Sequence, residues 1–220
     1  AAKIKSATTQ LHVHEVSLKP ALLKRCAVFF AEHFADEIIF VSNYLKSEYS
    51  FQKPKCRIKF NSLPAEFYQE AEKNCKKPNR EQKSILMLCS LKAYKGVYEF
   101  LQLAKSLPQF SFELVLNASK NEVHAWMNQN SIPENCKVFS SQSNTHSFYE
   151  RAKIVLNLSR PGEWIETFGM TILEAIAYQC YVIVPTVGGP LELLQNYPKG
   201  KAIDGKNLIE LQSEITKQFA

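Results

Sequence analysis

The chain has 220 residues, 45% hydrophobic and 22% charged, with a formal net charge of +6. That composition supports a real core and excludes a disordered or fibrous chain. The positive charge is mostly Lys spread along the sequence. It lacks an RNP-type aromatic pattern, zinc-finger spacing or an Arg-rich tract, so no nucleic-acid partner is expected; a solvated surface with one membrane-facing side suits it better.

No run of about 18 apolar residues occurs, so no membrane-spanning helix is expected. The start, "AAKIKSATTQ", lacks the apolar core of a signal peptide. A cytoplasmic protein is expected, with peripheral association at the inner face of the membrane as an option. The start also lacks an initiator methionine, which suggests a fragment. Six scattered cysteines without a C-x-x-C pair read as buried reduced thiols.

In chain order, "PALLKRCAVFFAEHFA" (20–35) reads as a helix, and "EIIFV" (37–41) and "CRIKF" (56–60) as strands. Residues 70–83, "EAEKNCKKPNREQK", hold almost nothing apolar and read as a surface linker. Beyond it, "SILMLC" (84–89), "FELVLN" (112–117), "CKVF" (136–139), "KIVLNL" (153–158), "YVIVP" (181–185) and "KAI" (201–203) read as strands. Helical patterns fall between them at 96–108, 120–130 and 169–179. Near-continuous apolar strands alternating with helices predict an α/β fold with parallel sheets clad on both faces. The expected organisation is a partial Rossmann-like domain over 1–69, a linker over 70–83, and a complete doubly wound domain over 84–220.

In open α/β sheets, ligands bind beyond the carboxyl ends of the strands. The helix starting near Gly169 follows a strand and the loop "SRPGEWIETF", so the free N–H groups of Gly169 to Ile172 can receive an anion. Gly169 permits close approach of a phosphate. Glu166 precedes that helix and Glu174 lies inside it. A pyrophosphate flanked by two carboxylates that accept sugar hydroxyls describes a nucleotide-sugar site. By spacing alone, an ordinary acidic helix start, worth about 0.3–1 kcal/mol through the dipole, remains an alternative.

The stretch "LNLSRPGEWIETFGMTILEAIAYQCYVIVPTVGGPLELL" resembles the donor-binding segment of glycosyltransferase family 4, mostly retaining enzymes of the GT-B fold. The matching features are Glu-x7-Glu, Phe-Gly after the first Glu, Glu-Ala around the second, and the Gly188-Gly189-x-x-Glu192 turn. "ADEIIFVSNYLKSEY" is similar to a segment of the family's N-terminal domain. The resemblance implies a metal-independent, retaining transfer of a sugar from a UDP- or GDP-type donor to a glycan or lipid-linked glycan, as in polysaccharide or lipopolysaccharide synthesis. No cofactor is implied.

By the same resemblance, Glu166 holds the transferred sugar near the reacting carbon and Glu174 holds the ribose. Phe168, Gly169, Met170, Thr171 and Ile172 turn backbone N–H groups to the sugar and distal phosphate. Lys95 neutralises the leaving pyrophosphate, and His14 closes over the sugar. One departure concerns the family's usual Gly-Arg, which aligns with Cys89-Ser90; Lys92 is the nearest substitute for that Arg. The resemblance also implies that the opening half of the N-terminal domain is missing. Rival readings are a nucleotide-sugar-binding module without turnover and another GT-B enzyme such as a sugar-nucleotide epimerase.

Overall fold

The computed structural model describes residues 8–16, 20–77 and 83–220. They fall into two compact units, divided between Asn61 and Ser62.

In the first unit, β1 (Gln10–Val13), α1 (Ala21–Phe34), β2 (Glu37–Phe40), α2 (Asn43–Ser47) and β3 (Lys55–Ile58) alternate. The strands form a parallel sheet in the order β1-β2-β3. The central strand carries the burial, with Ile38, Ile39 and Phe40 almost fully enclosed. Ser42 caps α2 by accepting the Leu45 N–H at 3.0 Å, which ends the strand sharply. Helix α1 buries Ala31 but leaves Leu22, Leu23, Phe29, Phe30 and Phe34 exposed.

The second unit opens with α3 (Ala65–Cys75), followed by β4 (Ser84–Ser90), a 3-10 turn (Ala93–Lys95) and α4 (Val97–Ser106). Next come β5 (Ser111–Asn117), α5 (Lys120–Asn128), β6 (Cys136–Phe139), α6 (His146–Arg151) and β7 (Ala152–Leu156). It closes with α7 (Met170–Ala177), β8 (Tyr181–Val184), α8 (Pro190–Leu194), β9 (Gly200–Ala202) and α9 (Leu208–Phe219). Among the described residues the six strands are parallel and ordered β6-β5-β4-β7-β8-β9. This is the strand order of a doubly wound Rossmann-like sheet.

Strand alternation divides the core in two. Ile85, Met87, Leu114, Leu116, Ile154 and Ile183 point into one cluster with α4 and α9. Leu86, Val115, Val155, Val182 and Val184 point into the other, with α6 and α7. Both faces are covered, which is why the strands read as apolar runs without alternation.

The expected linker differs from what is found. Residues 70–75 continue α3, and the division between units falls earlier, at Asn61/Ser62. The helix exists because Phe67, Ala71 and Cys75 pack on the second unit's core, while Glu72 and Lys76 face solvent as an i,i+4 ion pair. A stripe of three or four apolar positions was enough once a sheet lay beneath it. Residues 78–82 of the same expected linker lie outside the described residues. The thiols also differ from expectation: Cys136 and Cys180 are buried, but Cys26 is exposed and the others are intermediate.

Candidate functional site

The strand order reverses between β4 and β7, so their diverging carboxyl ends open a crevice. Beside it, over the carboxyl ends of β4 and β5, lies a cavity of about 370 Å³, lined by Cys89 and Ser90 at the end of β4, Asn117 at the end of β5, Ser141, Gln142, and Thr171 and Glu174 of α7. Burial drives the Cys89 thiol up to about 12, which disfavours its thiolate form.

Helix α7 begins at the mouth of this crevice. Its N-cap, Gly169, has φ of +94° and offers no side chain, so none caps the helix. The N–H groups of Ile172 and Leu173 turn inward to the Gly169 carbonyl, both at 3.1 Å. Met170 and Thr171 are the residues whose amides the first turn leaves for an anion. Ile172 was expected to share that role. Its N–H is engaged within the helix and its side chain is core, so it supports the site from beneath. The Phe168 side chain is likewise buried.

Glu166 precedes α7 in a loop locked by two glycines. The Gly189 N–H donates to the Glu166 carbonyl at 2.8 Å. A Cβ at Gly189 would collide with the Thr167 carbonyl, and one at Gly188 with the Glu166 carbonyl. Gly188 also sits at φ +111°. The Gly-Gly turn is thus a steric requirement of the loop that aims Glu166.

The Glu166 side chain meets Lys95, 71 residues earlier in the chain, with Nζ to Oε2 at 2.6 Å. Lys95 ends the 3-10 turn after β4, and Gly96 behind it adopts φ +82°. A Cβ on Gly96 would strike Leu158, so the glycine brings the lysine against the end of β7. The buried Ser159 hydroxyl lies 3.4 Å from the same Glu166 oxygen.

A second layer braces this pair. The Arg160 guanidinium binds Glu99 of α4 and Glu163, while its backbone N–H donates to the Tyr94 carbonyl at 2.8 Å. Tyr94 and Trp164 stack with ring centroids 5.4 Å apart, and the Lys95 ammonium lies 5.7 Å from the Trp164 ring.

Glu174 faces the other side of the helix start and is held differently. It accepts the Tyr149 hydroxyl at 2.5 Å. Burial raises the Glu174 carboxyl above its usual range, while the phenol's hydrogen bond and the His146 charge pull it back. Burial and then the Glu174 charge push the Tyr149 phenol well up, so it stays a donor. Behind it, Tyr178 stacks on Tyr149, accepts Asn74 Nδ2 at 3.0 Å and contacts His146 Nδ1 at 2.6 Å. The helix that was expected to be linker therefore backs the site through Asn74.

Ser90, the counterpart of the family's Arg, does line the cavity. Lys92 is exposed and sits toward α5; the Glu122 carboxyl there is held down first by Ser119 and, to a smaller extent, by Lys92. His14 belongs to the first unit. It lies one residue past β1, its ring stacked on His12 at 6.3 Å, and both rings line an apolar cavity with Lys24 and Tyr49. Two residues apart along an extended segment, the two histidines share a face. The residues to which the resemblance assigns the donor all fall in the second unit.

Sequence reasoning missed Tyr149, Ser159, Arg160 and Trp164. The last three lie inside the quoted loop, but nothing in their spacing distinguishes a brace from a surface residue. Tyr149 is a core-type residue whose hydroxyl has meaning only once α6 lies beside α7. Among the described residues, no cluster of three or more His, Cys, Asp or Glu side chains could hold a metal.

Comparison with known proteins agrees with this architecture. The family model for group 1 glycosyl transferases matches residues 69–219, and the chain belongs to that family. A search of curated proteins finds no match. Among solved structures, HepE of Anabaena, determined in complex with UDP and glucose, is 19% identical with a TM-score of 0.77 over 96% of this chain and 62% of that one. A glycosyltransferase from Rickettsia africae is 20% identical with a TM-score of 0.72, covering 96% and 60%. WaaG, a glycosyltransferase involved in lipopolysaccharide biosynthesis, is 16% identical with a TM-score of 0.66, covering 90% and 58%. The chain thus spans about 60% of the length of these structures, and at such identities they establish the fold. The α/β, GT-B-type architecture expected from the sequence is the one found.

Proposed function

We propose that the second unit binds a nucleoside diphosphate sugar, of UDP or GDP type, at the crevice between β4 and β7. The full protein would then transfer the sugar, with retention, to a glycan or lipid-linked glycan. The observation that carries this reading is the convergence at one helix start of two differently held carboxylates, a lysine and free backbone N–H groups.

Each group has a chemical task. The pyrophosphate sits at the α7 N-terminus, where the Met170 and Thr171 amides and the helix dipole meet its charge. Lys95 faces the distal phosphate and stabilises the charge that grows there as the bond to the anomeric carbon breaks. Glu166 accepts sugar hydroxyls and fixes the ring for departure and attack on the same face. The leaving phosphate takes the acceptor's proton. Glu174 accepts ribose hydroxyls through the carboxylate that Tyr149 steadies. No metal ligand is assigned. His14 is proposed to act on the transferred sugar, on the strength of the family resemblance.

The proposed location is cytoplasmic, at the inner face of the membrane, where a net charge of +6 favours anionic lipid. Among the described residues no helix is long and apolar enough to cross a membrane.

A thermal-shift panel of UDP, GDP, ADP and their hexose conjugates tests the reading, since a bound ligand raises the melting temperature by mass action. A rise with one nucleotide class supports it and identifies the base. No rise with any of them at millimolar concentration would overturn it.

A further inference from the structure

Lys95 and Glu166 satisfy one another within the chain. Their side chains are 15% and 23% exposed and their charged atoms 2.6 Å apart. Apart from Lys95, the Glu166 carboxylate has, among the described residues, only the Ser159 hydroxyl beside it, at 3.4 Å. Apart from Glu166, the ammonium has the Tyr94 and Trp164 ring faces, at 5.9 and 5.7 Å. In the nucleotide-sugar reading these two groups serve different parts of one substrate: Lys95 the distal phosphate, Glu166 the sugar hydroxyls. A diphosphate that binds Lys95 therefore competes with Glu166 for the same ammonium.

We propose that this ion pair makes the site discriminate between the intact sugar nucleotide and the bare nucleoside diphosphate. The bare diphosphate withdraws Lys95 and leaves Glu166 partly buried with a single distant hydroxyl, a costly state for a carboxylate. The intact donor withdraws Lys95 too, but its sugar brings hydroxyl donors that replace the lysine on Glu166. The exchange is balanced on both sides for the substrate and on one side for the product. Glu166 is thus a specificity determinant that weakens product binding, and the product leaves once the sugar has gone. The inference rests on the nucleotide-sugar reading of this crevice.

The consequence has an unusual sign: removing the Glu166 charge tightens the product. The test is isothermal titration of the chain with UDP, GDP and ADP, and with UDP-glucose, GDP-mannose and ADP-glucose, for wild type, Glu166→Gln, Lys95→Met and Ser159→Ala. The wild type is expected to bind the sugar nucleotide more tightly than the matching diphosphate. Glu166→Gln is expected to tighten the diphosphate roughly three- to tenfold, the scale of a charge-assisted contact, and to narrow the gap between the two ligands. Lys95→Met should weaken both ligands. Ser159→Ala, which removes the hydroxyl beside Glu166, should widen the gap, and it reads the same competition should Glu166→Gln fail to fold. An unchanged or weaker diphosphate affinity in a folded Glu166→Gln, or an unchanged gap in Ser159→Ala, overturns the inference while wild-type binding leaves the nucleotide-sugar site standing. Absence of binding by the wild type to all six ligands overturns both.

Discussion

Glu166 and Glu174 stand eight residues apart on either side of one helix start, yet the chain holds them by opposite means. Glu166 faces a cation, Lys95, and both side chains stay partly exposed. Glu174 is set deeper, where burial raises its carboxyl and a neutral phenol, Tyr149, is its partner. A charge-compensated carboxylate can exchange partners when a ligand supplies a competing anion. One held by a buried neutral donor keeps its orientation and a free oxygen for the ligand. The same residue type is therefore suited to two tasks: the first to a group that comes and goes, the second to a constant part of every donor.

The comparison is most exposed to Glu174→Ala. Loss of an ionised acceptor should weaken nucleoside diphosphate binding roughly 10- to 100-fold by titration, at about 1.5–3 kcal/mol per hydrogen bond to a charged group. An unchanged affinity would reduce Glu174 to a structural partner of Tyr149.

Next comes the turn that aims Glu166. Gly189→Ala places a Cβ against the Thr167 carbonyl and should cost about 1–3 kcal/mol of stability as overpacking, measured by chemical denaturation. It should disturb ligands on the Glu166 side more than those on the Glu174 side. A variant of full stability would show that the 166–168 loop yields easily.

A smaller effect separates the two carboxylates by pH. In the proposed binding mode ribose hydroxyls donate to the charged form of Glu174, so affinity should be present above its raised value and be lost as pH falls through it. The loss should begin at higher pH than for an ordinary glutamate, because burial raises this one. On folding the sign is reversed: the folded chain holds that proton more tightly, so the Glu174 contribution to stability declines as pH rises through the same value. Tyr149→Phe removes the hydrogen bond that pulls Glu174 back down and should move the onset further upward, with a several-fold loss of affinity at neutral pH, roughly the worth of one hydrogen bond. An onset that stays put would mean that the phenol only fills space.

The smallest expected effect is none. His14→Ala should leave nucleoside diphosphate affinity unchanged, since all the groups proposed to grip the nucleotide lie in the second unit. A clear loss by titration would assign the histidine a part in nucleotide binding.

Much of this architecture was legible in the sequence. The strands at 84–89, 112–117, 136–139 and 153–158 were read within a residue or two, because a parallel strand buried on both faces has to be apolar along its length. The helix starting at Gly169 was equally plain. Glu166, Glu174, Gly169 and Lys95 could be singled out, but mainly because their motif is familiar. Helix α3 was missed because its apolar stripe is thin and its remaining residues are charged; only the sheet beneath it makes Phe67 and Ala71 core residues. The short helices α6 and α8 were missed for a related reason, since each is a turn or two of chain held by packing rather than by its own propensity.

The sequence by itself determined the alternation of elements, the two-sided burial of the second sheet and the position of a helix start beyond a strand. These follow from local periodicity and from glycine's freedom at φ of +94°. Tertiary structure alone decided which side chains meet. Lys95 and Glu166 are 71 residues apart and Tyr149 and Glu174 are 25 apart, and the order β5-β4-β7-β8 brings each pair together. Partner choice between charged groups is a matter of distance and burial, and neither exists until the chain has folded.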